Sequence, residues 1–110
     1  MKIDKEMQNK IQELQLSEQA MQNLLLQKQA FQMEINETDS ALSELEKSKD
    51  EVYKIIGQVM LKSEKEDMKK ELEDKKKILE LRMKAIEKQE AFTKEKIEEL
   101  RKKIEVELKK

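Results

Sequence analysis

The sequence predicts an all-α-dominated fold, a long antiparallel two-helix coiled coil whose arms are joined by a short β-hairpin. Three observations carry this expectation. The chain is rich in Glu, Lys, Leu and Gln and nearly free of helix breakers. Apolar residues recur with a seven-residue repeat on both sides of the middle. The middle itself, Val52 to Ser63, turns briefly β-branched and apolar around the only glycine.

Of the 110 residues, 45% are charged and 36% hydrophobic, and there is no proline. Straight, flexible side chains lose little rotamer freedom in a helix, so this balance reads as coiled coil and not as a globular core. A disordered chain can carry as much charge, but it lacks periodic apolar positions, and here the period decides. With 24 Lys and Arg against 25 Asp and Glu, the net charge of -1 creates no strong field for nucleic acid or anionic lipid. Neither a nucleic acid nor a membrane is an expected partner. The chain has no cysteine for disulfides or thiolate metal sites and no histidine for general base or zinc chemistry. No apolar run approaches a membrane span, and Met1 to Lys10 is polar where a secretory signal is hydrophobic. A soluble, cytoplasmic protein without metal or cofactor is expected.

The first arm reads as one helix. With position a at Met7, Leu14, Met21, Lys28, Ile35 and Leu42, position d falls on Ile3, Lys10, Ser17, Leu24, Phe31, Thr38 and Leu45. Nine of these thirteen sites are apolar, a coiled-coil seam. From Asp4 to Lys47 such a helix spans about 66 Å. Ile11, Leu16, Leu25, Leu26 and Met33 lie off the seam, where they either widen it or stay available to a partner. Around Ser48 to Glu51 the pattern lapses without a Gly or Pro stop.

Val52, Tyr53, Ile55 and Ile56 are strand formers. Gly57-Gln58 supplies a two-residue turn with glycine first, and Val59, Met60 and Leu61 return along a second strand. This register puts Tyr53, Ile55 and Met60 on one face and Val52, Ile56, Val59 and Leu61 on the other, so both faces are apolar. With 56 residues before the turn and 52 after it, the arms are nearly equal. Beyond the hairpin, Ser63 and Glu66 have the spacing of a capping box, which predicts a helix start at Ser63 or Glu64. The seam of this second arm is Leu72, Leu79, Ile86, Thr93 and Leu100 with Lys69, Lys76, Met83, Glu90, Ile97 and Ile104. Glu-to-Lys spacings of four residues, at Glu66–Lys70, Glu71–Lys75, Glu80–Lys84, Glu98–Lys102 and Glu105–Lys109, suit its exposed face. The expected organisation is one domain over 1–110, with helix over 1–49, hairpin over 50–63 and helix over 64–110.

This layout, and the wording of the hairpin in particular, resembles a prefoldin subunit of the archaeal beta class. Val52-Tyr53-Lys54-Ile55-Ile56-Gly57 followed by Val59-Met60-Leu61-Lys62 is similar to the hairpin of that class. Gln27-Lys28-Gln29, Ile35-Asn36-Glu37-Thr38 and Ala41-Leu42-Ser43-Glu44-Leu45 resemble its first helix, and Leu79-Glu80-Leu81-Arg82 with Glu87-Lys88-Gln89-Glu90 its second. The resemblance implies an ATP-independent chaperone subunit in a hetero-hexamer of two alpha-class and four beta-class subunits. The hairpin would build an oligomeric β-barrel platform through Val52, Tyr53, Ile55, Ile56, Gly57, Val59, Met60 and Leu61. The coiled-coil tips, with Ile3, Met7, Ile11, Ile104, Val106 and Leu108, would hold unfolded client proteins and pass them to a group II chaperonin.

Two other functions compete. A structural spacer or dimerisation module without clients explains the heptads and ion pairs equally well, but leaves a two-faced apolar hairpin without a purpose. An enzyme is disfavoured, because the many carboxylates sit on helix faces without His, Cys, a phosphate loop or a cleft to shift their pKa values.

Overall fold

Asp4 opens the regular structure. Its Oδ1 accepts the backbone N–H of Met7 at 2.8 Å, and its carbonyl accepts that of Gln8 at 3.0 Å. This is an N-cap, satisfying an amide that has no partner inside the helix. The structure, a computed structural model, describes residues 4–49 and 51–110. In chain order these form α1 (Lys5–Lys47), β1 (Val52–Ile56), β2 (Val59–Ser63) and α2 (Lys65–Leu108). The expected fold class is the observed one: two long helices with a two-stranded antiparallel hairpin between them.

Two boundaries are set by contacts that the sequence pattern did not reveal. At the end of α1, where no Gly or Pro stops the helix, the Lys65 ammonium donates to the carbonyls of Ser48 at 3.0 Å and Glu46 at 3.4 Å. A cation from the first residue of α2 thus takes up free carbonyls at the negative end of α1. The capping-box expectation at Ser63 needs correction. Ser63 stays in β2, paired with Val52, and α2 starts at Lys65. The cap position falls to Glu64, whose carbonyl accepts the Met68 N–H at 3.0 Å.

The chain packs as two units, and within each the two helices run antiparallel. In the first, 30–83, Ile35, Leu79 and Met83 form a buried cluster with Phe31 against it, and Leu45 is buried as well. Thr38, 3% exposed, donates its hydroxyl to the Glu34 carbonyl at 2.8 Å, so a polar residue occupies the seam without an unmade bond. Lys76 pairs with Asp39 at 2.7 Å and Lys69 with Glu46 at 3.5 Å. The Asp39 carboxylate, by hydrogen bond and charge, raises the Lys76 pKa above its ordinary value. In the second unit, 4–29 with 84–110, the buried residues are Met7, Ser17, Leu24, Ile86, Ile97 and Leu100. Glu13 with Lys96 at 3.4 Å and Glu18 with Arg101 at 3.2 Å flank that seam.

Every described position of the two seven-residue repeats is buried or half-buried. The charged seam positions are accommodated by reaching sideways or by meeting each other. Lys28 and Glu90 take the second course, with Nζ to Oε2 at 3.5 Å. That Oε2 is buried and makes no hydrogen bond. Of the Glu-to-Lys pairs expected along α2, Glu105–Lys109 forms at 3.3 Å, whereas Glu71 bonds Lys54 of the hairpin and Glu80 turns to Lys76 at 4.0 Å.

The hairpin register is Val52↔Ser63, Tyr53↔Lys62, Lys54↔Leu61, Ile55↔Met60 and Ile56↔Val59. Gly57 has φ +60, the left-handed region that glycine enters without strain, and it is the only described residue with positive φ. A positive φ at the first central residue alone is the pattern of a II′ turn, whose twist matches that of the strands. Ahead of β1, Glu51 accepts the Tyr53 hydroxyl at 2.6 Å and the Lys62 ammonium at 3.0 Å. The Tyr53 and Lys62 bonds hold the Glu51 carboxyl below its ordinary value of 4.5, and the bond to Glu51 raises the Tyr53 phenol above 10.0.

Two predictions follow from these contacts. Lys28→Leu alone strands the Glu90 carboxylate and should lower unfolding stability by about 1 kcal/mol or more, whereas Lys28→Leu with Glu90→Leu should match or exceed the parent in urea denaturation. The second concerns pH. Glu51's contribution is complete above its ordinary pKa of 4.5 and fades as pH falls through its lowered value, while Tyr53's is complete below 10.0 and fades as pH rises through its raised value. Tyr53 is the only tyrosine and there is no tryptophan, so phenolate absorbance reads it directly. Its midpoint should lie above 10.0 and fall toward that value in Glu51→Gln.

Candidate functional site: an apolar hairpin and the helix ends

Burial separates the hairpin from the seam. Tyr53, Ile55, Ile56, Val59, Met60 and Leu61 are all between 47% and 67% exposed, whereas the seam residues beside them are covered. A small core at the hairpin base does exist. Leu45, Met68 and Leu72 line a groove of about 500 Å³ with Val52, which is half-buried. Tyr53 and Ile55 border the same groove but stay exposed, so of the apolar residues of β1 only Val52 is half-buried. The alternation that the sequence implies is present: Tyr53, Ile55 and Met60 share one face with Lys62, and Val52, Ile56, Val59 and Leu61 share the other with Lys54.

The backbone of the hairpin is also unfinished. Among the described residues the sheet has two strands, so each strand has one edge whose N–H and C=O groups meet no neighbour. Such edges are templates for further strands, and a two-stranded sheet is marginal in water by itself. Charge is present at the rim and not at the tip. Glu51, Lys54 and Lys62 are engaged by Tyr53, Glu71 and each other, while Ile55 to Met60 carry no charged group.

At the other end of the helices, the residues expected to face clients divide. Met7 is buried at 7% exposure, in keeping with position a of the repeat, which turns it into the seam. Ile11 and Ile104 are half-buried, the second at a seam position. Val106 at 59% and Leu108 at 42% are exposed. Ile3 lies outside the described residues. Between the two ends, Leu16, Leu25, Leu26 and Met33 on α1 are exposed, as their off-seam positions imply, and so are Ile78, Leu81 and Phe92 on α2. Phe92 was not singled out by the seam analysis; it borders a groove of about 510 Å³ with Leu24 and Ala20. A second feature missed by sequence reasoning is a groove of about 240 Å³ where Lys10 meets Lys102, Lys103, Val106 and Glu107. Chain order separates Lys10 from the rest by over ninety positions, so only folding brings them together.

Among the described residues no group of His, Cys, Asp or Glu is placed to hold a metal ion, and no helix is long and apolar enough to cross a membrane. The arrangement offers surface to bind.

Comparison with known proteins agrees along almost the whole chain. The prefoldin subunit family matches residues 6–110. A prefoldin subunit beta from Archaeoglobus fulgidus is 34% identical over 101 residues, covering 90% of this chain and 87% of that protein. One from Pyrococcus furiosus is 37% identical over 108 residues, covering 96% and 92%. The crystal structure of the prefoldin beta subunit from Thermococcus strain KS-1 superposes with a TM-score of 0.91 at 33% identity, covering 99% of this chain and 97% of that one. With hairpin, helices and sequence all in agreement, the chain belongs to the prefoldin family of chaperone subunits, in its beta class.

Proposed function

We propose that this chain is a cytoplasmic, ATP-independent holding subunit that acts as one domain over 1–110. Its hairpin joins those of other subunits in a β-barrel platform, in a hexamer of two alpha-class and four beta-class subunits. Its helix ends hold unfolded proteins and release them to a group II chaperonin. The observation that carries this reading is the exposed hairpin, apolar on both faces and open at both edges. Burial of apolar area contributes roughly 25 cal/mol per Å², and a solitary hairpin has nowhere to realise it. Closing a shared sheet covers one face as an interior and satisfies the edge groups in the same step. Beta-class membership supports the alpha-class partner.

Client holding at the helix ends is supported by the exposed Val106 and Leu108 and the half-buried Ile11. They lie on long helices beside no more than an open groove, a surface that suits weak binding of irregular apolar segments. Met7 and Ile104 support the seam beneath.

Assembly tests the first part. Ile55→Asp with Met60→Asp would place two charges, each costing several kcal/mol if buried, on one face of the platform. Native mass measurement with an alpha-class partner should show released subunits. A hexamer of normal mass would refute the platform, and a parent chain that stays a monomer or plain dimer beside that partner would favour the spacer. Val106→Ser with Leu108→Ser tests the second part. Assembly should be unchanged, while suppression of aggregation of a denatured protein, measured without nucleotide, should fall severalfold. Unaltered suppression would move the client surface elsewhere.

A further inference from the structure

We propose that the client-holding end is selective. The groove formed by Lys10, Lys102, Lys103, Val106 and Glu107 takes a segment of unfolded polypeptide in which a bulky apolar side chain is flanked by carboxylates. This inference rests on the proposed holding role and names the chemistry it prefers.

Charge is the first observation. From Lys94 to Lys110 the chain has seven basic and five acidic residues, an excess too small to argue from by itself. Folding spends these charges unevenly. Lys96 pairs with Glu13, Arg101 with Glu18, Lys109 with Glu105 and Lys110 with Glu107. Among the described residues Lys94, Lys102 and Lys103 of this stretch and Lys10 of α1 have no ion-pair partner, and Lys10, Lys102 and Lys103 line the groove together. Glu107 is the one acid in the lining, and its Oε1 is held by Lys110 at 3.2 Å. Glu6, Glu13, Glu98, Glu99 and Glu105 lie about one turn from the lysines on their own helices, yet none lines the groove or reaches ion-pair distance of them, Glu13 and Glu105 being held by Lys96 and Lys109. Three unpaired positive charges therefore converge on one concavity.

Shape and polarity supply the second observation. The groove holds about 240 Å³, room for one or two side chains, and Val106 offers an exposed apolar wall. The lysine stems add apolar contact along their methylenes while the ammonium groups stay in water. An apolar side chain seated against Val106 places its own chain neighbours beside the ammonium groups, where carboxylates are favoured. A nucleic acid fits this less well, because its phosphates match the charge but supply no aliphatic group for Val106.

Short labelled peptides with a central Leu-Phe pair, flanked by Asp and Glu, by Ser or by Lys, decide the matter by anisotropy on the full chain. At low salt the acidic peptide should bind about tenfold more tightly than the Ser-flanked one, from three exposed charge contacts of modest strength. The preference should vanish at high salt, and equally in Lys10→Gln, Lys102→Gln, Lys103→Gln, with Ser-peptide binding unchanged. Lys102 and Lys103 are exposed and Lys10 is a half-buried seam position, so circular dichroism and urea denaturation would show that the variant stays helical and as stable as the parent. Equal binding of the acidic and Ser-flanked peptides by the parent would overturn the proposal, as would a preference that survives the triple variant. So would an oligonucleotide that competes as well as the acidic peptide. If the Ser-flanked peptide binds in a Val106-dependent manner without any acidic preference, selectivity falls and the holding role stands. If no peptide binds, both fall.

Discussion

Burial of one apolar stripe of α1 against one of α2 is the constraint on which the rest of the structure depends. A helix that is largely Glu, Lys and Gln has little else to bury, and its propensity alone stabilises it weakly in water. The seven-residue repeat confines the apolar groups to a single seam, and every described position of it is covered to some degree. Once that seam is occupied by the partner helix, apolar residues elsewhere have no internal place to go.

The hairpin is the clearest case of this shortage. A turn of two residues brings β2 back beside β1, but it leaves a sheet with two faces and two free edges. The groove at its base, lined by Leu45, Met68 and Leu72, also borders Tyr53 and Ile55 yet leaves both exposed, and of these hairpin residues only Val52 is half-buried. What a larger domain would hide under a third layer stays on the surface here. The same residues that make the hairpin a poor solitary element are the ones proposed to carry assembly, and membership of the prefoldin beta class is consistent with that use.

Charge organises what apolar contact leaves undecided. Lys28 and Glu90 interrupt the seam together, and a polar pair in one layer disfavours slipped registers that would bury either alone. Lys69 and Lys76 leave the seam to meet Glu46 and Asp39, so their stems cover apolar surface while their ammonium groups stay wet. Near the hairpin, Lys54 and Lys62 are held by Glu71 and Glu51. The groove around Lys10 and Val106 gathers three cations that make no ion pair among the described residues.

Much of this protein was legible before folding was considered, because its structure is governed by local periods. A repeat of seven announces a seam, and alternation around the single glycine announces a hairpin with its register and its two faces, since both signals lie within a few consecutive residues. What the sequence by itself determined was therefore the kind and order of the elements, and which side of each was apolar. Only tertiary structure decided that Lys65 would cap α1, that Ser63 would remain in its strand and that Glu71 would leave Lys75 for Lys54. It also decided which lysines would remain without acids. These outcomes depend on groups far apart in the chain competing for the same partner, and a pattern read along one strand of sequence contains no distance between them.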